Sequence, residues 1–119
     1  MSEYDEQLTM FEYAYGYGGN LDNRLRMLHP VENTKGAGRP PAGAIEAAGC
    51  PDMFLAVAVH PFHGLYIELK KIGGKRMSAK QKEWQKRLRE QGFAAEECIG
   101  AEAAIAMLHQ YLAGELPPF

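Results

Sequence analysis

Between Gly49 and Lys70 the chain reads Gly-Cys-Pro-Asp-Met-Phe-Leu-Ala-Val-Ala-Val-His-Pro-Phe-His-Gly-Leu-Tyr-Ile-Glu-Leu-Lys, and no other stretch restricts the fold as tightly. Two apolar runs, Met53–Val59 and Leu65–Leu69, flank an insert containing Pro61 and Gly64, which is the pattern of a β-hairpin. Strand side chains alternate between faces, so Leu65, Ile67 and Leu69 are expected on one side and Tyr66, Glu68 and Lys70 on the other. Antiparallel pairing then brings Asp52, at the mouth of the first strand, beside Glu68 and Lys70. Carboxylate oxygens suit a hard cation such as Mg²⁺, and a neighbouring ammonium holds a water or offsets developing negative charge. The plain alternative is a solvent-facing Glu68–Lys70 ion pair worth ~0–1 kcal/mol.

A chain of 119 residues is expected to form one domain, residues 1–119, with a single core. No apolar run approaches the ~20 residues of a membrane helix. The acidic start, Met-Ser-Glu-Tyr-Asp-Glu, lacks the apolar core of a targeting segment. Cys50 and Cys98 lie too far apart for a disulfide framework, and a structural zinc cage needs about four ligands, so a reducing cytoplasm is expected. The formal net charge is only −2, but its distribution is uneven. Lys70, Lys71, Lys75, Arg76, Lys80, Lys82, Lys86, Arg87 and Arg89 cluster together, while acids crowd the first twelve residues and the final third. Such segregation fits a local anion-binding surface, and equally a solvated basic helix.

The periodicity predicts a first helix from Ser2 to about Tyr15, with Leu8, Phe11 and Tyr15 as its apolar stripe, broken by Gly16, Gly18, Gly19 and Asn20. A strand is expected over Leu25–Val31, at an edge because of Pro30. A mobile loop is expected from Thr34 to Ala42, and a short helix over Gly43–Ala48 that Gly49 closes. After the hairpin comes a basic turn on Gly73-Gly74. Ser78-Ala79-Lys80-Gln81 then opens a helix to about Gln91, with Gly92 as its stop. Gln81, Trp84, Leu88 and Gln91 share one face of it. A strand over Phe93–Ile99 and a helix over Ala101–Leu112, with Ile105, Leu108 and Leu112 inward, complete the order.

Pro51-Asp52 followed by Glu68-Leu69-Lys70 is similar to the PD-(D/E)xK nuclease signature. The wider set resembles the VRR-NUC (virus-type replication-repair nuclease) family: Gly-x-Pro-Asp, His63-Gly64-Leu65-Tyr66-Ile67-Glu68-Leu69-Lys70, Ser78-Ala79-Lys80-Gln81-Lys82-Glu83-Trp84 and Gln91-Gly92-Phe93. Its small stand-alone phage and prophage members are the nearest in character, and the resemblance runs from Ser2-Glu3 to Tyr111-Leu112. The element order matches the fold this implies: α/β, a PD-(D/E)xK restriction-endonuclease-like core (α-β-β-β-α-β) with an additional C-terminal helix.

The resemblance also implies roles. Asp52 and Glu68 would ligate Mg²⁺ or Mn²⁺ together with the backbone carbonyl of Leu69, and Lys70 would orient the attacking water and offset charge on the phosphorane. An acid on the first helix would reach the metal through its water shell; Glu3 in Ser-Glu-x-x-x-Gln matches, with Glu6 and Glu12 as competitors. Gln81 would reach metal-bound water or a phosphate, besides serving as the capping partner of Ser78. Asn33 stands at a family Pro-Asn position, but Glu32 replaces the Pro and the segment to Gly49 is short, so no role is carried over. His60 and His63, at the hairpin tip, are read as structural, and Tyr4, Tyr13, Tyr15 and Tyr17 as core or interface. Lys71, Lys75, Arg76, Lys80, Lys82 and Lys86 would track a DNA backbone. The implied activity is a metal-dependent, structure-specific DNA endonuclease acting as a homodimer on branched DNA such as four-way (Holliday) junctions. The rivals are a nuclease-fold DNA-binding module that does not cut, and an α/β domain unconnected with nucleic acid.

Overall fold

The first helix, α1 (Glu3–Ala14), begins where Ser2 caps it: the Ser2 hydroxyl accepts the Asp5 N–H at 3.1 Å, and the Asp5 carboxylate accepts from the Ser2 N–H and hydroxyl in return. In this computed structural model, residues 2–16, 22–31 and 49–118 are described. The expected loop over Thr34–Ala42, the short helix over Gly43–Ala48, and Asn33, Tyr17, Gly18, Gly19 and Asn20 fall outside them. Gly16 ends the helix with φ at 92°, a region closed to most side chains.

The expected Leu8/Phe11/Tyr15 stripe is not the buried one. Glu6, Met10 and Ala14 face inward, Phe11 is half-buried, and Leu8 and Tyr15 are exposed. The rotation follows from Glu6, whose Oε2 accepts the N–H of Ala101 at the start of the last helix. That tie turns the small and flexible side chains of α1 toward the sheet.

A 3₁₀ turn, Asn23–Met27, replaces the first part of the expected Leu25–Val31 strand. Asp22 accepts the Arg24 N–H at 3.0 Å and so caps the turn. Only β1 (Leu28–Pro30) is extended, and it lies at one side of a four-stranded sheet ordered β1-β2-β3-β4. Strands β2 (Met53–Leu55) and β3 (Leu65–Lys70) form the hairpin, with Met53 opposite Ile67, Phe54 opposite Tyr66 and Leu55 opposite Leu65. The first hairpin strand is shorter than Met53–Val59 because the chain leaves the ladder after Leu55 and closes on itself. Val57 N–H bonds Leu55 O, Val59 pairs with Phe62 around Pro61, and the Tyr111 hydroxyl donates to Val57 O at 2.6 Å and accepts from Val59 N at 3.2 Å.

Helix α2 (Ala79–Glu90) crosses over to β4 (Ala94–Ile99), which runs parallel to β3 with Leu65 opposite Ala94 and Glu68 opposite Glu97. Gly92, at φ 88°, makes the stop between them. Helix α3 (Ala101–Leu112) follows, burying Ala104, Leu108, Tyr111 and Leu112.

The core lies between α1 and α3 on one side and the Leu28, Met53, Leu55, Leu65, Ile67 and Leu69 face of the sheet on the other. Helix α2 packs chiefly on the β4 side of the opposite face, where Leu88 is buried and Gln85 and Arg89 both donate to Ala95 O. Gly49 holds the approach to β2 against this helix: a Cβ there would sit 2.6 Å from Trp84 Cδ1 and 2.9 Å from Lys80 O. The bare backbone therefore carries Pro51-Asp52 past α2 into the ladder.

Candidate metal centre

Asp52 is pinned by both of its strands. Its backbone oxygen accepts the Val31 N–H at 2.8 Å, and its Oδ2 accepts the Leu69 N–H at 2.9 Å. The side chain thus continues the β2–β3 ladder by one rung, and the register sets it against Glu68. Glu3, in the first turn of α1, reaches the same place. One carboxylate oxygen from each of Glu3, Asp52 and Glu68 lies within 4.8 Å of the others, with Glu3 exposed, Asp52 half-buried and Glu68 buried.

Of the three first-helix acids, Glu3 joins this cluster, Glu6 is committed to the N-terminus of α3, and Glu12 is exposed outside it. Lys70 points the same way as Glu68: its Nζ is 3.6 Å from Glu68 Oε2 and donates to Gln81 Oε1 at 3.0 Å. Gln81 takes its expected place in the capping box and meets Lys70 as well. Its Oε1 also accepts the Ser78 N–H at 2.8 Å, while its own N–H donates to Ser78 Oγ at 3.2 Å. The capping box of α2 and the Lys70 ammonium therefore share one oxygen. The Leu69 peptide is present through its N–H, which serves Asp52.

Glu68 does not take the solvent-facing position of the plain ion-pair alternative. It is 2 % exposed, and its Oε1 is buried with no hydrogen-bond partner. An orphaned carboxylate oxygen at such depth is costly unless something positive meets it. Burial, then the Asp52 carboxylate beside it, pushes the Glu68 carboxyl up to about 9, with Glu3 adding to the rise and Lys70 opposing it. Three converging carboxylates, one of them orphaned and desolvated, fit a hard divalent cation.

The two thiols offer no alternative chemistry. Burial, followed by Glu68 and Asp52, raises Cys50 to about 11, and burial raises Cys98 to about 12, so both stay neutral and behave as small apolar groups. His60 and His63 are at the hairpin tip; the His63 ring meets Phe93 edge-on at 5.8 Å and takes no part in the carboxylate cluster.

Lys71, Lys75, Arg76, Lys80, Lys82 and Lys86 are all exposed. Arg76 is paired with Glu97, which also accepts the Met77 N–H at 2.9 Å, and these partners hold the Glu97 carboxyl below its ordinary value. Glu97 was not singled out in the sequence; it fixes the end of the basic turn against β4. Its position directly opposite Glu68 across the parallel ladder follows only once the β3–β4 register is known. Lys82, Gln85, Lys86, Arg89 and Glu90 line a cleft of about 380 Å³ along α2.

The Glu68 shift fixes a pH dependence. The folded protein retains a proton, up to about 9, that the unfolded chain releases near 4.5, so this group's stabilisation is fully present below 4.5 and lost as pH rises through 9. Thermal midpoints measured with a chelator should fall from pH 5 to pH 9 more steeply for wild type than for Glu68→Gln. Added Mg²⁺ or Mn²⁺ should raise the wild-type midpoint most at the alkaline end.

No family model and no curated protein matches the chain. A solved structure described as "VRR_NUC domain protein" does, with a TM-score of 0.74 and 24% identity over 95% of this chain and 89% of the other. The chain therefore has the mixed α/β fold of a VRR-NUC nuclease-like domain, with a four-stranded sheet and three α-helices among the described residues, as the resemblance implies.

Proposed function

We propose that the protein is a VRR-NUC endonuclease that hydrolyses DNA phosphodiesters at the Glu3/Asp52/Glu68 centre, with branched DNA as its substrate. The observation that carries this reading is the buried, unpartnered Glu68 Oε1 beside Asp52 and Lys70. A structural ion pair would satisfy that oxygen; a ligand set awaiting a cation leaves it free. The fold likeness supports the reading.

Asp52 and Glu68 would hold Mg²⁺ or Mn²⁺ with the Leu69 carbonyl, and Glu3 would act from the exposed rim. When bound, the cation would neutralise the carboxylates and polarise a phosphodiester oxygen. The rest falls to the chain. Asp52 is oriented by the Leu69 N–H, so its position does not depend on the cation. The Lys70 Nζ is held by Gln81 at 3.0 Å, where it would meet the negative charge that grows as water attacks the phosphorus. Gln81 positions that ammonium, and through Ser78 it fixes the ammonium relative to α2. The exposed lysines of the basic turn and α2 would run along the phosphate backbone and supply affinity.

The proposed assembly is a cytoplasmic two-fold homodimer, with two centres making paired incisions. Its contact would use the outer face of α1, where Tyr4, Leu8 and Tyr15 are exposed. Light scattering should give twice the chain mass at micromolar concentration, and Leu8→Glu should shift it toward the monomer; a wild-type monomer that still makes paired cuts would remove the dimer from the proposal.

Salt dependence tests the backbone track. Lys82→Ala with Lys86→Ala should lower the slope of log K against log salt by about 1.8, from ~0.9 per phosphate contact. An unchanged slope would make this side of α2 solvated surface.

The centre itself is tested by three variants. Asp52→Asn and Glu68→Gln should lose both calorimetric Mn²⁺ binding and junction cleavage. Lys70→Ala should keep Mn²⁺ binding while cutting falls at least about a hundredfold. All three should retain DNA binding, since the basic segment supplies it. Near-normal cleavage by Glu68→Gln would end the site assignment, and a folded wild type that binds DNA but never cuts with either metal would leave a non-cutting DNA-binding module.

A further inference from the structure

The face that carries Glu68 does not stop at the carboxylates. Tyr66 precedes Glu68 by two positions on β3 and so stands on the same side of the sheet, ~7 Å along the strand. Phe54, directly across the ladder, stacks on Tyr66 with ring centroids 4.3 Å apart and planes at 27°. Phe93, just before β4, meets both rings edge-on, at 5.9 Å from Phe54 and 5.5 Å from Tyr66. His29 on β1 extends the row, its ring edge-on to Phe54 at 5.5 Å. Phe54, Tyr66 and Phe93 are half-buried and His29 is exposed.

The backbone makes room for this row. A Cβ on Gly64 would lie 2.6 Å from the Phe54 ring, so a bare residue there lets that ring lie against the chain. Among the described residues no helix seals the β1–β3 part of this face: α1 and α3 pack against the core side and α2 lies along β4. The surface is thus aromatic and edged by an imidazole. It is continuous at one end with the carboxylate centre and with Lys70.

A ligand held there must be planar and π-faced, with polar edges, and must be joined to something anionic one side-chain step away. A nucleobase attached to a phosphodiester meets each condition. A base inside a duplex hides both faces in the stack, so only an unpaired one offers a face to the row. Resting on the nuclease reading above, we infer that Phe54, Tyr66, Phe93 and His29 form a stacking platform for an unpaired base next to the phosphate held at Glu68 and Lys70. The strand to be cut is accordingly single-stranded on one side of the cut, as at the mouth of a splayed or branched duplex.

The test compares DNA affinities by fluorescence anisotropy with a chelator present, so that nothing is cut. The probes are oligothymidine, a splayed duplex and a blunt duplex of equal length. Tyr66→Leu and His29→Ala should bind oligothymidine and the splayed duplex on the order of ten-fold more weakly, from the loss of a base–aromatic contact, and the blunt duplex as wild type does. Tyr66→Phe, which keeps the ring, should behave as wild type. A 2-aminopurine base in the single-stranded arm should be quenched by wild type and by Tyr66→Phe, and not by Tyr66→Leu. His29 is exposed, so its variant reports even where loss of the Tyr66 ring disturbs the sheet. Equal losses on all three probes, or no loss on the single strand, would overturn the platform. Ring-dependent binding of single strands by a wild type that cuts nothing would instead overturn the nuclease reading and leave the platform standing.

Discussion

The hydrogen bond from the Leu69 N–H to Asp52 Oδ2 is the constraint from which the rest of the centre follows. It uses a ladder position that a third strand residue would otherwise fill, and gives it to a side chain. The carboxylate is thereby fixed by backbone geometry, one of the stiffest references a protein has. Glu68, one residue before Leu69 and on the opposite face from Ile67, is brought alongside by the same register. Two carboxyl groups are forced together before any cation is considered. The cost of that arrangement shows in Glu68, whose carboxyl is pushed up to about 9 by burial and by Asp52, while its Oε1 has no hydrogen-bond partner.

The cationic side is arranged more indirectly. Lys70 has a long stem and would sample many rotamers, yet Gln81 and Glu68 restrict its tip to a small region. Gln81 is itself held by a helix cap, so the ordering of one lysine draws on the start of α2. The exposed lysines of the same helix carry their charge outward. One short helix therefore separates two electrostatic tasks: its N-terminus orients a single buried-side ammonium, and its flank presents a diffuse positive surface.

Much of this was legible in the sequence because it rests on short-range signals. Alternation fixed which side of β3 carries Tyr66, Glu68 and Lys70, and the Ser78–Gln81 spacing marked the helix start within one residue. The chain brings the Glu3, Asp52 and Glu68 carboxylates near one another, and a metal role for them is the proposal made above. What failed depended on distant partners. The Leu8/Phe11/Tyr15 stripe is a correct amphipathic pattern, but which face turns inward was decided by Glu6 bonding Ala101, ninety-five positions away in sequence. The first hairpin strand ended early because Tyr111 gathers Val57 and Val59 into a turn. The depth of Glu68 had no signal either, because alternation reports a side chain's direction and says nothing of what covers it. Glu97 carried no local signal at all; its importance lies in a parallel register that a crossover helix sets.

The bond between Glu6 and Ala101 also decides when the centre can exist. Glu3 sits one turn of α1 before Glu6, and the placement of α1 is tied to the first peptide of α3, near the opposite end of the chain. A chain emerging from the ribosome has already made Asp52, Glu68 and Lys70 while α3 is still inside, and in that interval α1 has its packing on β1 and β3 but not its tie to Ala101. The acidic cluster is held as it is in the finished fold only once α3 is in place. Long-range closure of this kind is slow compared with forming the hairpin or α2.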